Sequence, residues 1–379
     1  MRRTACLVGL AAAIAVCMPA GPAAAAGWAQ VPTPDPGGSD FNSLPGLATV
    51  SPTEAWAVGL TRGATATVFR PLIEHWTAAG GWQLTASATT PATADSRLAA
   101  AAAVSPSNVW AVGQTFDSSF VSHGFIEHWA GAGWQRVAAA TGEPAGAALT
   151  AVAAVSASDV WAVGFSQDPA TFARTTLAEH WDGTAWRLVP TPPLPGTARF
   201  AAVAAVSAAD VWAVGQLVDA ETPFAEHWDG TRWTQVPLPA TGRDSLLSGV
   251  TAVAGGNVWA VGTQRVTRTL VEHWDGTAWT VVPSPNVTGQ THSALFAVSA
   301  AGPADIWAVG DSLQNAAFAS TLTEHWDGTA WTIVPSPNAP ASFSTRLLAV
   351  QTHPGWPLFA VGDAQSQTGP THTFAIRFS

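Results

Sequence analysis

Short apolar runs separated by turn residues follow one another along the whole chain, and no long stretch repeats its apolar positions at helical spacing. One cycle of the pattern runs from Leu149 to Pro190. A small-residue run, Leu149-Thr-Ala-Val-Ala-Ala-Val155, is followed by a polar turn and then by Val160-Trp-Ala-Val-Gly164. After a variable loop come Leu177-Ala-Glu-His-Trp181, the dipeptide Asp182-Gly183, and Trp186-Arg-Leu-Val-Pro190. Each run has strand length, and Asp-Gly between aromatic and β-branched runs is a strong hairpin signal because both turn positions tolerate positive φ. Proline then ends the last strand, since it cannot donate to a ladder. The cycle predicts four short antiparallel strands.

The cycle recurs. Its Trp-Ala-Val-Gly core appears with Trp56, Trp110, Trp161, Trp212, Trp259 and Trp307, and with Phe359 in the Trp place, at spacings of 54, 51, 51, 47, 48 and 52 residues. That period matches the blades of a propeller and exceeds that of helical or leucine-rich arrays. Residue size orders the strands radially: Ala and Val suit a crowded innermost strand, whereas Trp fills the widening gaps further out. Of the 20 Trp residues, 19 fall in three fixed places, six in second strands, six in third strands and seven in fourth strands; Trp356 alone is out of register.

The seventh repeat ends at Thr373-Phe-Ala-Ile-Arg-Phe378 without a fourth strand, while Trp28-Ala-Gln-Val-Pro-Thr-Pro34 near the other terminus matches Trp331-Thr-Ile-Val-Pro-Ser-Pro337. Pairing of these two segments would leave no free edge. The expected fold is all-β, a seven-bladed β-propeller of four-stranded antiparallel blades, closed by the N-terminal strand and occupying residues 27–379 as a single domain.

Residues 1–26 read as a signal peptide: Arg2 and Arg3, an apolar run from Ala5 to Met18, and Ala24-Ala25-Ala26 before a cleavage point. The run is too short, and too soon followed by Pro19, Gly21 and Pro22, to span a membrane. A lipid anchor on Cys17 is the rival reading, but Val16 stands where such signals want a small residue. The expected product is secreted, soluble and monomeric, with cleavage after Ala26. Both cysteines, Cys6 and Cys17, lie within this segment, so no disulfide is expected beyond it. Net charge is −10 and every basic residue is Arg, with no cluster suited to phosphate backbones, which argues against nucleic acid.

The chain resembles secreted bacterial β-propellers with Asp-box or BNR-like repeats and, more loosely, kelch and WD-repeat propellers. Trp-Asp-Gly-Thr-Ala-Trp carries the likeness through Asp275, Gly276, Thr277 and Trp279, although Asp and Gly are adjacent and the box's Ser is missing; Gly-Gly doublets occur at Gly80-Gly81 and Gly255-Gly256. Enzymes on related propellers use tyrosine as nucleophile, metal ligand or cofactor component. This chain has no Tyr.

Glu-His-Trp occurs six times, beginning at Glu74, Glu127, Glu179, Glu226, Glu272 and Glu324. An enzyme needs one such set, and strand alternation puts Glu and Trp on one face and His on the other. The expectation is a polar network that holds each blade. Asn108, Asp159, Asp210, Asn257 and Asp305, each just before a second strand, are expected to cap turns. No ligand spacing suggests a metal, and neither metal nor cofactor is expected.

Residues before the first strands vary, and loops from fourth to first and from second to third strands share one face. Arg97, Arg199, Arg243, Asp244, His292 and Arg346 are the candidate ligand-binding residues there, suited to an anionic or polyhydroxyl ligand. The expected function is an extracellular, non-catalytic binding module for carbohydrate or a protein partner. The alternative is a polysaccharide hydrolase or lyase with loop carboxylates as acid and base, for which the loops of Asp117 (with His123) and Asp168 are the nearest candidates.

Overall fold

A computed structural model describes residues 26–88, 94–140, 142–253, 256–314 and 318–379. The leader segment, with both cysteines, lies outside the described residues. The rest is β-strand joined by turns.

Repeats 2 to 6 each form one four-stranded antiparallel sheet in sequence order. In repeat 3 the strands are Ala147–Ser156, Asp159–Gln167, Arg174–Trp181 and Trp186–Leu188. The first and seventh repeats share an eight-stranded sheet. Within it, Ser39–Ser51, Glu54–Gly63, Arg70–Thr77 and Gly81–Leu84 pair antiparallel, as do Ser342–Gln351, Leu358–Ser366 and Thr371–Phe378. Trp28–Val31 pairs antiparallel with Thr371–Phe378, Trp28 opposite Phe378, and a single parallel pair, Phe41 with Thr371, links the two halves. The architecture is propeller-like, made of four-stranded antiparallel blades.

The first strands of all seven repeats line one cavity of about 360 Å³, presenting Ala101–Ala103, Val152–Ala154 and their equivalents to it. Only small side chains fit at that crowding, which is why the innermost runs are written in Ala, Val and Thr. Successive first strands are neighbours, and Ser342–Gln351 also lies beside Ser39–Ser51.

Two local features explain the repeated letters. The glycine of Val-Trp-Ala-Val-Gly sits beside a bulge in the first strand: a Cβ on Gly164 would stand 1.9 Å from the Ala148 carbonyl oxygen, opposite the register shift between Leu149 and Ala151. No side chain fits there. The Asp-Gly-Thr hairpin closes on its own carboxylate: Asp275 Oδ1 accepts the Thr277 and Ala278 N–H groups at 2.8 and 2.9 Å and the Thr277 hydroxyl at 2.6 Å, while Gly276 takes φ 95°. These donors hold the Asp275, Asp229 and Asp327 carboxyls down at about 2.

Candidate functional site

The Glu-His-Trp letters lie in the seams between repeats. Each His packs on the second-strand Trp of its own repeat, with ring centroids 4.0 Å apart for Trp56 and His75 and 4.2 Å for Trp259 and His273. The third-strand Trp faces the other way, over the second-strand Trp of the preceding repeat, as in Trp181 on Trp110 at 4.9 Å. The same relation joins Phe378 to Trp307 at 4.8 Å and Trp76 of the first repeat to Phe359 of the seventh at 4.7 Å.

The residue that opens each second strand does not act as the expected turn cap. Asn108, Asp159, Asp210, Asn257 and Asp305 each place a side-chain oxygen 2.8 to 3.0 Å from the Nε2 of the His paired across the hairpin. Glu54, the sixth member, does the same for His75 at 2.9 Å. Asp210, Asn257 and Asp305 also accept the indole N–H of the Trp two residues on. Alternation points these side chains to the His face, where an imidazole nitrogen competes better for the oxygen than turn amides on the far side.

The Glu takes no part in that network. All six are fully buried on the opposite face. Glu127 accepts from the Ser87 hydroxyl at 2.6 Å, Glu179 from the Ala140 N–H at 3.1 Å, and Glu324 from the Ser284 hydroxyl at 2.7 Å. Glu226 and Glu272 have no partner for either oxygen among the described residues. Burial raises the carboxyls of Glu226, Glu272 and Glu324 to about 8 and those of Glu127 and Glu179 to about 7. At neutral pH several of these groups are protonated and behave as filler. Chemistry that needs reach must lie elsewhere, on the loops.

On the loop face the six sequence candidates divide. Arg97, Arg199 and Arg346 share one register, each opposite the residue that follows the repeat glycine: Gln114, Gln216 and Asp363. Arg97 is held bidentate by Asp95 at 2.8 and 2.9 Å and lies over the Phe69 ring. Arg346 is held bidentate by Asp363 at 3.0 Å, and Asp363 also accepts from the Ser43 hydroxyl. His292 lies 3.9 Å from Asp311, whose carboxyl burial raises to about 6, and its Nδ1 meets the Val266 carbonyl. Arg243 pairs with exposed Glu221 at 3.2 Å, and Asp244 takes a left-handed φ of 58° at a loop bend. Arg199 differs from these cations. Its one polar side-chain contact is Gln216 at 3.5 Å, and no carboxylate pairs with it among the described residues. Burial, then the neighbouring positive charge of Arg174, lowers its pKa.

Arg174 opens onto a groove that the sequence did not mark. The second-to-third-strand loops of repeats 2 and 3 both turn on an Asp. Asp117 Oδ1 accepts the N–H groups of Ser119 and Val121, and Asp168 Oδ1 those of Ala170 and Thr171, which lowers both carboxyl pKa values. Each turn delivers a phenylalanine at its tip, Phe120 with φ 61° and Phe172 with φ 59°. A bulky side chain on left-handed backbone is an outlier that surrounding structure must enforce. Phe120 is 87% exposed and Phe172 68%. Between the tips lies a cavity of about 500 Å³ lined by Phe116, Phe120, Phe165, Phe172, Gln167 and Arg174. A second of about 450 Å³ continues past Phe116 and Phe120 towards His123 and Arg136. Arg174 rests over the Phe165 ring at 4.5 Å and donates to Gln167 at 2.8 Å, with no carboxylate partner among the described residues. The trace available in the sequence was an Asp followed within a few residues by Phe in both loops, Asp117 before Phe120 and Asp168 before Phe172.

No protein-family model matches the chain, and no curated protein matches it. Solved structures do. A structure described as YCF48 bound to D1 peptide aligns at 13% identity and a TM-score of 0.56, covering 95% of this chain and 97% of that one. YCF48 from Cyanidioschyzon merolae aligns at 13% identity and 0.55, covering 93% and 98%. At this identity the likeness carries the fold alone: the chain is similar to β-propellers of about its own length. Among the described residues no helix is long and apolar enough to cross a membrane, and no group of three or more His, Cys, Asp or Glu could hold a metal ion.

Proposed function

We propose that the protein is an exported, monomeric, seven-bladed β-propeller that binds an extracellular carbohydrate or protein partner through its loop face and performs no chemistry of its own. The reading of the ring draws support from the seven first strands around one cavity, from the seam between Trp76 and Phe359, and from the pairing of Trp28–Val31 with the last strand. The reading of export rests on the sequence pattern of Arg2 and Arg3, the apolar run from Ala5 to Met18, and Ala24-Ala25-Ala26 before Gly27. The observation that carries the binding function is the pair of exposed phenylalanines held on left-handed backbone over a groove. Asp117 and Asp168, whose loops carry the two phenylalanines, are engaged in building the turns and so are poor general acids. The purified protein, residues 27–379, should bind on a glycan array or to defined peptides, and should release no reducing ends or unsaturated products from a polysaccharide panel. Product release would overturn the non-catalytic reading.

A further inference from the structure

The geometry points to the groove between Phe120 and Phe172 as a subsite for an acidic glycan, a chain of hexuronate residues whose ring faces lie on the phenylalanines and whose carboxylates meet Arg174. This rests on the loop-face binding reading above and adds the ligand's chemistry to it.

Three independent features converge. The first is charge: on a chain of net charge −10, Arg97, Arg243 and Arg346 are each already neutralised by a carboxylate, whereas Arg174, which lines the groove, has none among the described residues. A ligand carboxylate there takes charge-assisted hydrogen bonds from the guanidinium. The second is shape. The backbone at Phe120 and Phe172 is fixed by turns whose Asp accepts two backbone N–H groups each, so little backbone entropy remains to be lost when a flat ring stacks on the phenylalanines. The third is hydrogen-bonding capacity: Gln114, Gln167, Ser119 and Ser122 lie among Phe116, Val121, Phe165 and Pro169 in the same groove, so partners for sugar hydroxyls stand beside the apolar surfaces that ring faces cover. At about 500 Å³ the cavity is within the range of small-molecule sites.

Calorimetry with short oligogalacturonates, and with neutral oligogalactosides as control, tests the assignment. Wild-type protein should bind the uronate oligomers and not the neutral ones, with affinity falling as salt is raised. Arg174→Gln should weaken uronate binding about tenfold or more, the value of a charge-assisted pair. Phe120→Gly should weaken it about threefold to tenfold, and since glycine is at home at φ 61° this variant should melt at or above the wild-type temperature. Arg232→Gln, on an exposed hairpin between third and fourth strands, should bind as wild type. Absence of uronate binding at millimolar concentration, equal binding of neutral oligomers, or indifference to Arg174→Gln and Phe120→Gly would each overturn the assignment. A wild-type protein that binds some other glycan or peptide would sink the acidic-glycan subsite and leave the binding module standing; binding to nothing on array or peptide panel would remove both.

Discussion

Glu272→Gln should stabilise the protein at high pH and leave it nearly unchanged at low pH. Glu272 is fully buried, neither of its oxygens has a partner among the described residues, and burial alone raises its carboxyl from 4.5 to about 8. A raised acid binds its proton more tightly folded than unfolded, so between pH 4.5 and about 8 folding takes up a proton and stability falls as pH rises. Within that window each step of one pH costs the folded state about 1.4 kcal/mol, so moving from pH 5 to pH 9 removes about 4 kcal/mol at this one residue. Glutamine has the shape of the protonated acid and cannot ionise. For a chain of this length 1 kcal/mol moves the melting temperature by roughly 1.5 °C, so the variant should melt about 5 °C above wild type at pH 9 and within about 1 °C of it at pH 5. His273, whose pKa burial lowers, titrates in both proteins and cancels in the difference. The Asp-Gly-Thr turns titrate well below pH 4, outside the window. A Gln variant that melts lower than wild type by the same amount at both pH values would refute the reasoning, because the carboxylate would then be charged and in use.

Other perturbations separate the seam from the loops. Asp210→Ala strands both the His227 ring nitrogen and the Trp212 indole N–H and should cost about 1–3 kcal/mol in thermal melts, whereas Asp210→Asn should be close to neutral because Asn108 and Asn257 hold the same place elsewhere. Gly164→Ala drives a methyl against the Ala148 carbonyl and should cost about 3 kcal/mol, while Gly133→Ala, with open space around it, should melt as wild type. Trp28→Ala empties a slot against Trp307 and Phe378 and should lower stability by about 3–5 kcal/mol; an unchanged melting curve would count against a role for the N-terminal strand in holding the last repeat.

The strand order, the blade composition and the partnership of Trp28–Val31 with the last strand were readable because each leaves a periodic trace: alternation, Asp-Gly turns, and a fourth-strand Trp lacking its own repeat. Faces were readable as well, with Glu and His assigned to opposite sides by parity. What parity cannot supply is the partner across a hairpin. Asp159 before a turn looks like a cap in the chain, and only the register that sets Trp161 opposite His180 brings that carboxylate to the imidazole. Glu54 is hidden for the same reason, being a Glu in a column of Asp and Asn. The conformation of the phenylalanine tips was invisible because left-handed φ at a non-glycine residue is imposed by the surrounding turn and leaves no residue-type signal.

The seventh repeat supplies an internal control for the protonated carboxyls. Where other repeats write Glu-His-Trp, it writes Ile376-Arg377-Phe378. Ile376 is fully buried opposite Ala360, just as Glu324 is opposite Ala308. Arg377 lies 5.6 Å from the Trp76 ring and 5.8 Å from Phe359, in the place where His stacks on Trp. The seam therefore accepts an aliphatic side chain in the carboxyl slot and a cation in the imidazole slot without loss of the aromatic contacts around them. An interface that tolerates Ile where Glu usually stands has no need of a negative charge there, so Glu226 and Glu272, raised to about 8 and without partners among the described residues, serve packing in their neutral form, and any ligand chemistry falls to loops that the repeat does not constrain.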